Sequence, residues 1–512
     1  MLSIAALAQG SRCAVAVVCA TLALSSFASA QPIAGKPIED PSVVPAVVPP
    51  LAPPGVPVEP VAVPPTPAKP DPLPPGAVPA LPTDPPVVHH HPHLYDSMHQ
   101  DESYGLKTLF DSLHPKPDGK GKHWYEKLSI RGYTQFRFGR GVSQDPDGAD
   151  PMLFGDRSIN GNSETFSIRR MRLILSGDVS EHLGVYIQPD FASNPIGSTT
   201  STLFAQLRDA YADVYFDKTK IHRLRVGLSK VPYGFEDLQS SQNRIPLDRT
   251  NPINSAVSAN ERDLGVFYYW TPEEKQKLFK DLVDGGLKGS GNYGVFGFGV
   301  YDGQGGSQFD QNLNLHMVTR LTYPWMLPSG QVVEASLQGM MGEVVVGGSA
   351  IRPLGRGSAI TPAGTGGTQG IREQRVAGTF VWYPQPFGFQ AEWNWGFGPG
   401  LNDQQTAVEE RRLSGGYAMF MYKHDTANYG IWTPYLRYQY FQGGYRAFSN
   451  APYGIQNEFN LGVEWQIRKE MELTLEYSYV DAPNLTTFNR AGFTSYRNFD
   501  GSILRCQFQI NY

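Results

Sequence analysis

The sequence predicts an all-β fold, a 16-stranded antiparallel transmembrane β-barrel preceded by a signal peptide and a proline-rich linker. Three features indicate this class: strand-like segments with alternating polarity, short and long connections that alternate along the chain, and a final amphipathic strand that ends on an aromatic residue. At 512 residues, with 18% charged residues and a net charge of -5, the chain is long enough for several soluble domains or one large barrel. The net charge alone does not indicate a class of binding partner.

The N-terminus, residues 1–30, has the pattern of a signal peptide. A single Arg12 precedes an apolar run from 13 to 24, and Ala28-Ser29-Ala30 supplies a small-residue cleavage site. We therefore expect an exported mature chain that starts after Ala30. No later stretch approaches the roughly 18 apolar residues of a spanning helix, so membrane residence would have to come from strands.

The cysteines exclude a disulfide framework and a cysteine-based metal site. Cys13 and Cys19 would leave with the signal peptide, and Cys506 would then have no partner within the chain.

A proline-rich segment follows the signal peptide, and we predict that residues 31–123 form a periplasmic linker. Pairs such as Pro49-Pro50 and Pro74-Pro75 cannot donate to a sheet, and such sequence favours extended polyproline II. Residues 100–114 are compatible with a short helix. A histidine cluster lies at the end of the proline-rich tract and consists of His89, His90, His91 and His93. The cluster either binds a transition metal or is simply solvated sequence.

From residue 124 to 512 the sequence predicts the barrel. An even number of strands is the rule in bacterial barrels. The 16 predicted strands are approximately 128–140, 164–179, 182–190, 205–216, 222–231, 262–270, 291–301, 313–323, 331–341, 372–383, 387–396, 413–423, 431–441, 457–468, 471–480 and 501–512.

The last strand shows the alternation that characterises the set. Leu504, Cys506, Phe508, Ile510 and Tyr512 share one face, and polar residues lie between them. The aromatic terminus is the signal that the barrel assembly machinery reads in outer-membrane proteins. The apolar face is expected to contact outer-membrane lipid.

The lengths of the connections support the barrel prediction and indicate how the barrel is oriented in the membrane. Short links such as 180–181 and 468–470 follow even strands, whereas 232–261, 342–371 and 481–500 follow odd strands. With the N-terminus in the periplasm, the long connections are extracellular loops. The exception is 271–290, whose Thr271-Pro272-Glu273-Glu274 start predicts a short periplasmic helix.

Strand parity predicts which side chains face the lumen. An outward Arg or Lys near the bilayer midplane costs roughly 2 to 4 kcal/mol. Two arginines, Arg169 and Arg208, nevertheless take outward parity. The predicted pore-lining arginines are Arg131, Arg137, Arg170, Arg172, Arg225, Arg320, Arg375, Arg437 and Arg505.

These arginines support two interpretations. Guanidinium groups bind oxyanions bidentately and stay charged, so an anion can pass between them. Alternatively, they pair with lumenal acids and stiffen the wall. The predicted inward acids are Asp178, Asp190, Asp209, Asp213, Glu334, Glu392, Glu464, Glu472 and Glu476.

The long connection 232–261 follows the fifth strand, where barrel loops commonly fold inward and narrow the channel. It carries Arg244 and Arg249, which are candidates for a constriction. Alternatively, Arg249 pairs with Asp248 or Glu261 and holds the shape of the loop.

The chain resembles the phosphate-selective porin O and P family over nearly all of 124–512. The resemblance is carried by 131–136 (RGYTQF), 169–173 (RRMRL) with Gly177, 188–191 (QPDF), 209–211 (DAY) and, at the start of the long loop, Gly227, Lys230, Pro232, Tyr233, Gly234 and Glu236. It implies an outer-membrane, trimeric channel for phosphate or related anions, with Lys230 at the constriction. Strict alternation turns Lys230 outward, so it serves the pore only if its strand ends or bulges first.

The functional hypothesis is a porin for passive diffusion of anions, with phosphate the leading candidate. The alternatives are a general porin for small hydrophilic solutes, and a structural barrel that anchors the proline-rich arm to peptidoglycan. A barrel lipase would need a serine beside His316 or His424, and no spacing suggests one, so we predict no enzyme. No cofactor, metal or nucleic-acid partner is predicted.

Overall fold

A computed structural model describes residues 124–143, 165–193, 203–252, 262–306, 308–353, 357–482, 486–489, 492–496 and 499–512. The predictions for the signal peptide, the linker, the helix at 100–114 and the cluster His89, His90, His91 and His93 concern residues outside these ranges, and they stay predictions. Within the described ranges, no helix has the length and apolar character needed to cross a bilayer.

The strands form one closed antiparallel sheet. The short segment His424–Thr426 continues the twelfth strand along the same neighbour, so the 17 hydrogen-bonded segments make 16 barrel strands. The sheet closes because the first strand pairs with both the second and the last. The strands are Ser129–Ser143 (β1), Thr165–Ser180 (β2), Leu183–Ser193 (β3), Leu203–Tyr215 (β4), His222–Lys230 (β5), Arg262–Trp270 (β6), Phe296–Tyr301 (β7), His316–Met326 (β8), Val332–Val344 (β9), Ile371–Trp382 (β10), Phe387–Leu401 (β11), Val408–Tyr422 (β12), Gly430–Gly444 (β13), Tyr453–Arg468 (β14), Met471–Ala482 (β15) and Phe499–Asn511 (β16).

A 3-10 turn, two α-helices and a hairpin lie outside the barrel sheet. A single 3-10 turn, Trp124–Lys127, precedes β1. The four-residue helix Phe235–Leu238 (α1) follows β5, and Glu273–Asp284 (α2) follows β6. The segments Thr486–Asn489 and Gly492–Tyr496 pair with each other outside the barrel sheet.

The predicted barrel is confirmed, with differences at some strand ends. Strand β7 begins at Phe296 and not at 291, because Gly291 and Gly294 adopt positive φ angles of 95° and 82°. The pairing of β11 with β12 extends to Leu401 and Val408. The sequence predicts that the first of these strands ends near 396 and that the second begins near 413. The residues added there do not alternate in polarity, so the sequence pattern does not show them as strand.

The two faces of each strand differ in polarity as predicted. In β14, Phe459 and Leu461 point outward and are 48% and 60% exposed, whereas the inward Asn460 between them is fully buried. The same arrangement recurs in β15, where outward Tyr477 and Tyr479 flank the inward Ser478. An apolar outer wall therefore encloses a polar interior.

The outward parity assigned to Arg169 and Arg208 is wrong, because both residues lie at β-bulges. Gln135 pairs with Arg170 and Phe136 with Ile168, which leaves Arg169 as the extra residue of β2. Gln188 pairs with Asp209 and Pro189 with Leu207, which leaves Arg208 as the extra residue of β4. A bulge breaks the period of two, so two successive side chains can serve the same face.

The helix predicted within 271–290 is confirmed as α2. Its first turn carries Glu273 and Glu274 directly after Pro272, and acidic residues at this position stabilise the helix dipole. Its buried face is formed by Leu278, Phe279 and Leu282. Leu278 and Leu282 pack in one cluster with Phe235 of α1 and with three further buried residues, Val332, Val381 and Tyr383.

The closing seam between β16 and β1 depends on a glycine. The backbones of Gly132 and Tyr512 exchange hydrogen bonds of 2.6 and 3.0 Å. A Cβ atom at Gly132 would lie 2.4 Å from the carbonyl oxygen of Arg172 and 2.5 Å from the ring of Tyr512. The C-terminal aromatic residue therefore lies over a position where no side chain fits.

We expect Gly132→Ala to destabilise the folded barrel by about 1 to 3 kcal/mol, because the new methyl group overpacks the seam. Urea titration in detergent, followed by the heat-dependent mobility of the folded barrel in gels, measures this. Gly378→Ala is the matched control, since a Cβ there meets nothing within 4 Å. Equal stability of the two variants would contradict the role of the seam.

Candidate functional site

The structure places eight of the nine predicted pore-lining arginines in the barrel interior. Each of the eight is at most 5% exposed. The ninth, Arg131, is exposed near the start of β1. The eight interior arginines are Arg137, Arg170, Arg172, Arg225, Arg320, Arg375, Arg437 and Arg505.

Several of these arginines pair with a carboxylate of the wall. Arg172 lies 2.8 Å from Asp190, and Arg225 binds both oxygens of Asp213 at 2.8 and 2.9 Å. Further wall pairs are Arg320 with Glu334 and Arg375 with Glu373. Such pairs offset the cost of burying each charge, which is the arrangement expected of arginines that stiffen the wall.

The predicted inward acids are also buried, with one exception. The side chain of Asp178 is 48% exposed and pairs with Lys220 at 2.5 Å. The buried acids are Asp190, Asp209, Asp213, Glu334, Glu392, Glu464, Glu472 and Glu476.

Four arginines of three adjacent strands converge on one loop residue, Asp248. Its carboxylate lies 2.7 Å from Arg137 of β1, and 3.0 and 3.7 Å from Arg169 and Arg170 of β2. It also pairs with Arg505 of β16, which binds Glu476 as well. We call Arg137, Arg169, Arg170 and Arg505 the arginine cluster.

The arginine cluster keeps Asp248 ionised. Burial by itself would raise the pKa of this carboxyl group, but Arg137, Arg169, Arg505 and Arg170 outweigh burial and hold its pKa well below the usual range. Asp248 therefore stays charged as pH falls through the mildly acidic range, and the contact of the loop with the wall persists.

The three cations predicted at the constriction bind the backbone of the loop. Lys230 is the last residue of β5 and still pairs with Arg262, so the strand neither ends nor bulges before it. Its buried Nζ donates to the carbonyls of Leu238 and Gln239 at 2.8 and 2.7 Å. Arg249 donates to the carbonyls of Glu236 and Asp237 at 3.2 and 3.0 Å.

The third cation, Arg244, donates to the carbonyls of Pro246 and Leu247 at 3.2 and 3.3 Å. Among the described residues, Arg249 pairs with Asp237 at 3.6 Å, whereas the first alternative expected it to pair with Asp248. The second partner considered for it, Glu261, lies outside the described residues. In the described part of the loop, these cations thus hold its shape.

The loop crosses the barrel interior and contacts distant strands. We call residues 231–252 the inner loop. The backbone N–H of Phe235 in this loop donates to Glu392 of β11 at 2.6 Å. On other walls, Asn251 donates to Gln439 of β13 at 2.9 Å, and Gln135 of β1 donates to the carbonyl of Ser241 at 3.1 Å. Sequence parity could not identify these contacts, because they depend on how the loop folds.

A second insertion lies against the inner loop. Lys288, which follows α2, pairs with Glu464 of β14 at 2.6 Å and with Glu472 of β15 at 3.7 Å. Its carbonyl accepts a hydrogen bond from Gln239 of the inner loop at 2.6 Å. Burial would lower the pKa of Lys288, but the two carboxylates outweigh burial and raise it. The sequence predicted the helix and the inward parity of both acids, but not that one lysine would join them.

The ion pair between Arg437 and Glu236 provides a test of how the inner loop is held. Arg437 of β13 lies 2.8 Å from the buried Glu236, so Arg437→Ala leaves that carboxylate without its partner. We expect a loss of about 3 to 5 kcal/mol in the free energy of unfolding. Denaturant titration of the detergent-solubilised barrel measures this.

Arg372→Ala is the matched control, because Arg372 pairs with Glu410 where the two side chains are 55% and 32% exposed. Exposed pairs contribute about 0 to 1 kcal/mol. Comparable losses in the two variants would show that the Arg437 pair does not anchor the loop.

The family model described as "Phosphate-selective porin O and P" matches residues 145–512. Comparison with curated protein sequences gives no match.

The solved structures that are similar to this chain share little sequence identity with it. The trimer form of OmpT of Vibrio cholerae has 10% identity and a TM-score of 0.45, over 75% of this chain and 99% of that one. An anion-selective porin from Comamonas acidovorans has 12% identity and a TM-score of 0.45, over 75% and 99%. OprB of Pseudomonas putida has 7% identity and a TM-score of 0.47, over 80% and 97%. From the family match over most of its length, the chain belongs to the phosphate-selective porin O and P family and is an outer-membrane porin.

Proposed function

We propose that this porin admits anions by passive diffusion, with phosphate the leading candidate. The observation that carries the proposal is the arginine cluster, in which four guanidinium groups of β1, β2 and β16 converge on one carboxylate. The description of the family as phosphate-selective supports the same solute.

The chemistry of the cluster favours oxyanions. A guanidinium group presents a planar fork of N–H donors that matches two oxygens of a phosphate or carboxylate, and it stays protonated at any physiological pH. Within the narrowed interior, fixed charges are screened less than at the surface and act strongly on a partly dehydrated ion. A carboxylate already occupies this position, and this supports the proposal that the cluster binds oxyanions.

A general porin for small hydrophilic solutes is the second candidate. It is favoured by the acids that line the opposite wall, since Glu334 of β9 and Glu392 of β11 are also buried in the interior. A lumen with both signs of charge can pass neutral or cationic solutes. The two candidates differ in the ratio of anion to cation permeability.

Further features are proposed from the sequence alone. We propose that residues 1–30 are a cleaved signal peptide, that 31–123 form a periplasmic linker able to reach peptidoglycan, and that 124–512 form the barrel. We also propose a homotrimer assembled through the barrel assembly machinery.

The reversal potential in a potassium chloride gradient across a planar bilayer tests the anion proposal. We expect chloride to permeate better than potassium. In Arg170→Ala the preference should fall several-fold, because one charge of the cluster is removed while Arg137, Arg169 and Arg505 still hold Asp248. Arg372→Ala, which changes an exposed arginine, should leave the ratio unaltered. A preference of the wild type for potassium would exclude the anion proposal.

A further inference from the structure

We propose that Asp248 is an internal ligand of the arginine cluster, and that a permeating tetrahedral oxyanion competes with it and frees the Asp248 segment of the inner loop from the cluster. The inference rests on the proposed anion function and adds a gate to it. The loop supplies a carboxylate to the site through which the anion passes, so anion binding and loop position are coupled.

The contacts of Asp248 resemble those of a bound oxyanion. One carboxylate oxygen, Oδ2, accepts from Arg137 at 2.7 Å and from Arg505. The other, Oδ1, accepts from Arg169 at 3.0 Å and lies 3.7 Å from Arg170. Both oxygens are therefore bound by donors of the wall.

The bulge in β2 is what completes the cluster. In a regular strand, Arg169 and Arg170 would face opposite sides, and one of them would lie in the outward wall. The extra residue opposite Gln135 and Phe136 lets both reach Asp248. Two successive arginines thus serve one acceptor.

The segment around Asp248 is held chiefly by arginines and acids of the wall. Arg137 also donates to the carbonyl of Leu247 at 3.0 Å, and Arg437 donates to the carbonyl of Asp248 at 3.0 Å. The backbone N–H of Leu247 donates to Glu476 at 3.3 Å. An anion that takes the guanidinium groups removes the side-chain part of this attachment.

The charge of an anion and the number of its acceptor oxygens predict how well it competes with Asp248 for the arginine cluster. Phosphate at neutral pH carries more than one negative charge and offers more acceptor oxygens than a carboxylate, whereas chloride offers one charge and no fixed geometry. Displacement should therefore respond to phosphate more than to chloride. Because the tethered carboxylate occupies the site, the apparent affinity for phosphate is lower than the intrinsic affinity of the cluster.

The test compares the wild type with Asp248→Asn in planar bilayers bathed in chloride, with inorganic phosphate added. Phosphate that binds in the pore reduces the chloride current. In Asp248→Asn we expect a larger chloride conductance and a half-inhibiting phosphate concentration roughly tenfold lower, because the internal competitor has lost its charge.

Two controls accompany this measurement. Asp248→Glu retains the charge and should restore the dependence of the wild type on phosphate, and Glu410→Gln removes a carboxylate from the exposed pair with Arg372 and should change neither quantity. An unchanged half-inhibiting concentration in Asp248→Asn, in a channel that still prefers anions, overturns the gate and leaves the anion function intact. A wild type that prefers cations overturns both.

A measurement with Asp248 intact covers the case in which Asp248→Asn does not fold. Asn243 is a half-buried residue of the inner loop, and Asn243→Cys combined with Cys506→Ser provides one reporter thiol in the mature chain. Phosphate should increase the rate at which a charged methanethiosulfonate reagent modifies this thiol, and equimolar chloride should not. A rate that is independent of phosphate overturns the proposal.

Discussion

Pairing between arginines and carboxylates organises the interior of this barrel. A charge that leaves water must meet an opposite charge or several hydrogen bonds, because the cost of burying it alone is several kcal/mol. Arg172 with Asp190 and Arg225 with Asp213 satisfy this requirement within the wall. Asp248 extends the same requirement to the inner loop, which is held where the arginines of β1, β2 and β16 meet.

Two insertions depend on these wall charges and support each other. The inner loop brings Glu236 to Arg437, and the segment after α2 brings Lys288 to Glu464. The hydrogen bond from Gln239 to the carbonyl of Lys288 joins the two insertions. The interior therefore behaves as one network, in which displacing one segment changes the partners of the other.

Much of the fold could be predicted from the sequence, because a barrel wall between lipid and a polar interior imposes a period of two on every strand. That period identified all 16 strands and the inward parity of Arg137 and Arg505. It failed at Arg169 and Arg208, where a bulge inserts one residue. An arginine at an outward position near the middle of a strand is itself a signal of such a bulge, since the alternative is a charge in lipid.

The candidate site was less predictable than the wall. The sequence identified Lys230, Arg244 and Arg249 as loop cations, but the structure shows that they bind carbonyls of the loop itself. Asp248 is the loop residue on which four wall arginines converge, but the sequence suggests it only as a partner of Arg249. Contacts between a loop and a wall depend on chain folding over long sequence separations, and no local period records them.

The position of a bound oxyanion would show directly whether the arginine cluster is an anion site that the chain's own carboxylate occupies. Diffraction from crystals grown with arsenate would locate the anion by the anomalous signal of arsenic. We expect an arsenic peak within hydrogen-bonding reach of Arg137, Arg169, Arg170 and Arg505, with the side chain of Asp248 withdrawn. Arsenate bound elsewhere, with Asp248 still held by the four arginines at saturating arsenate, would exclude the arginine cluster as an anion site.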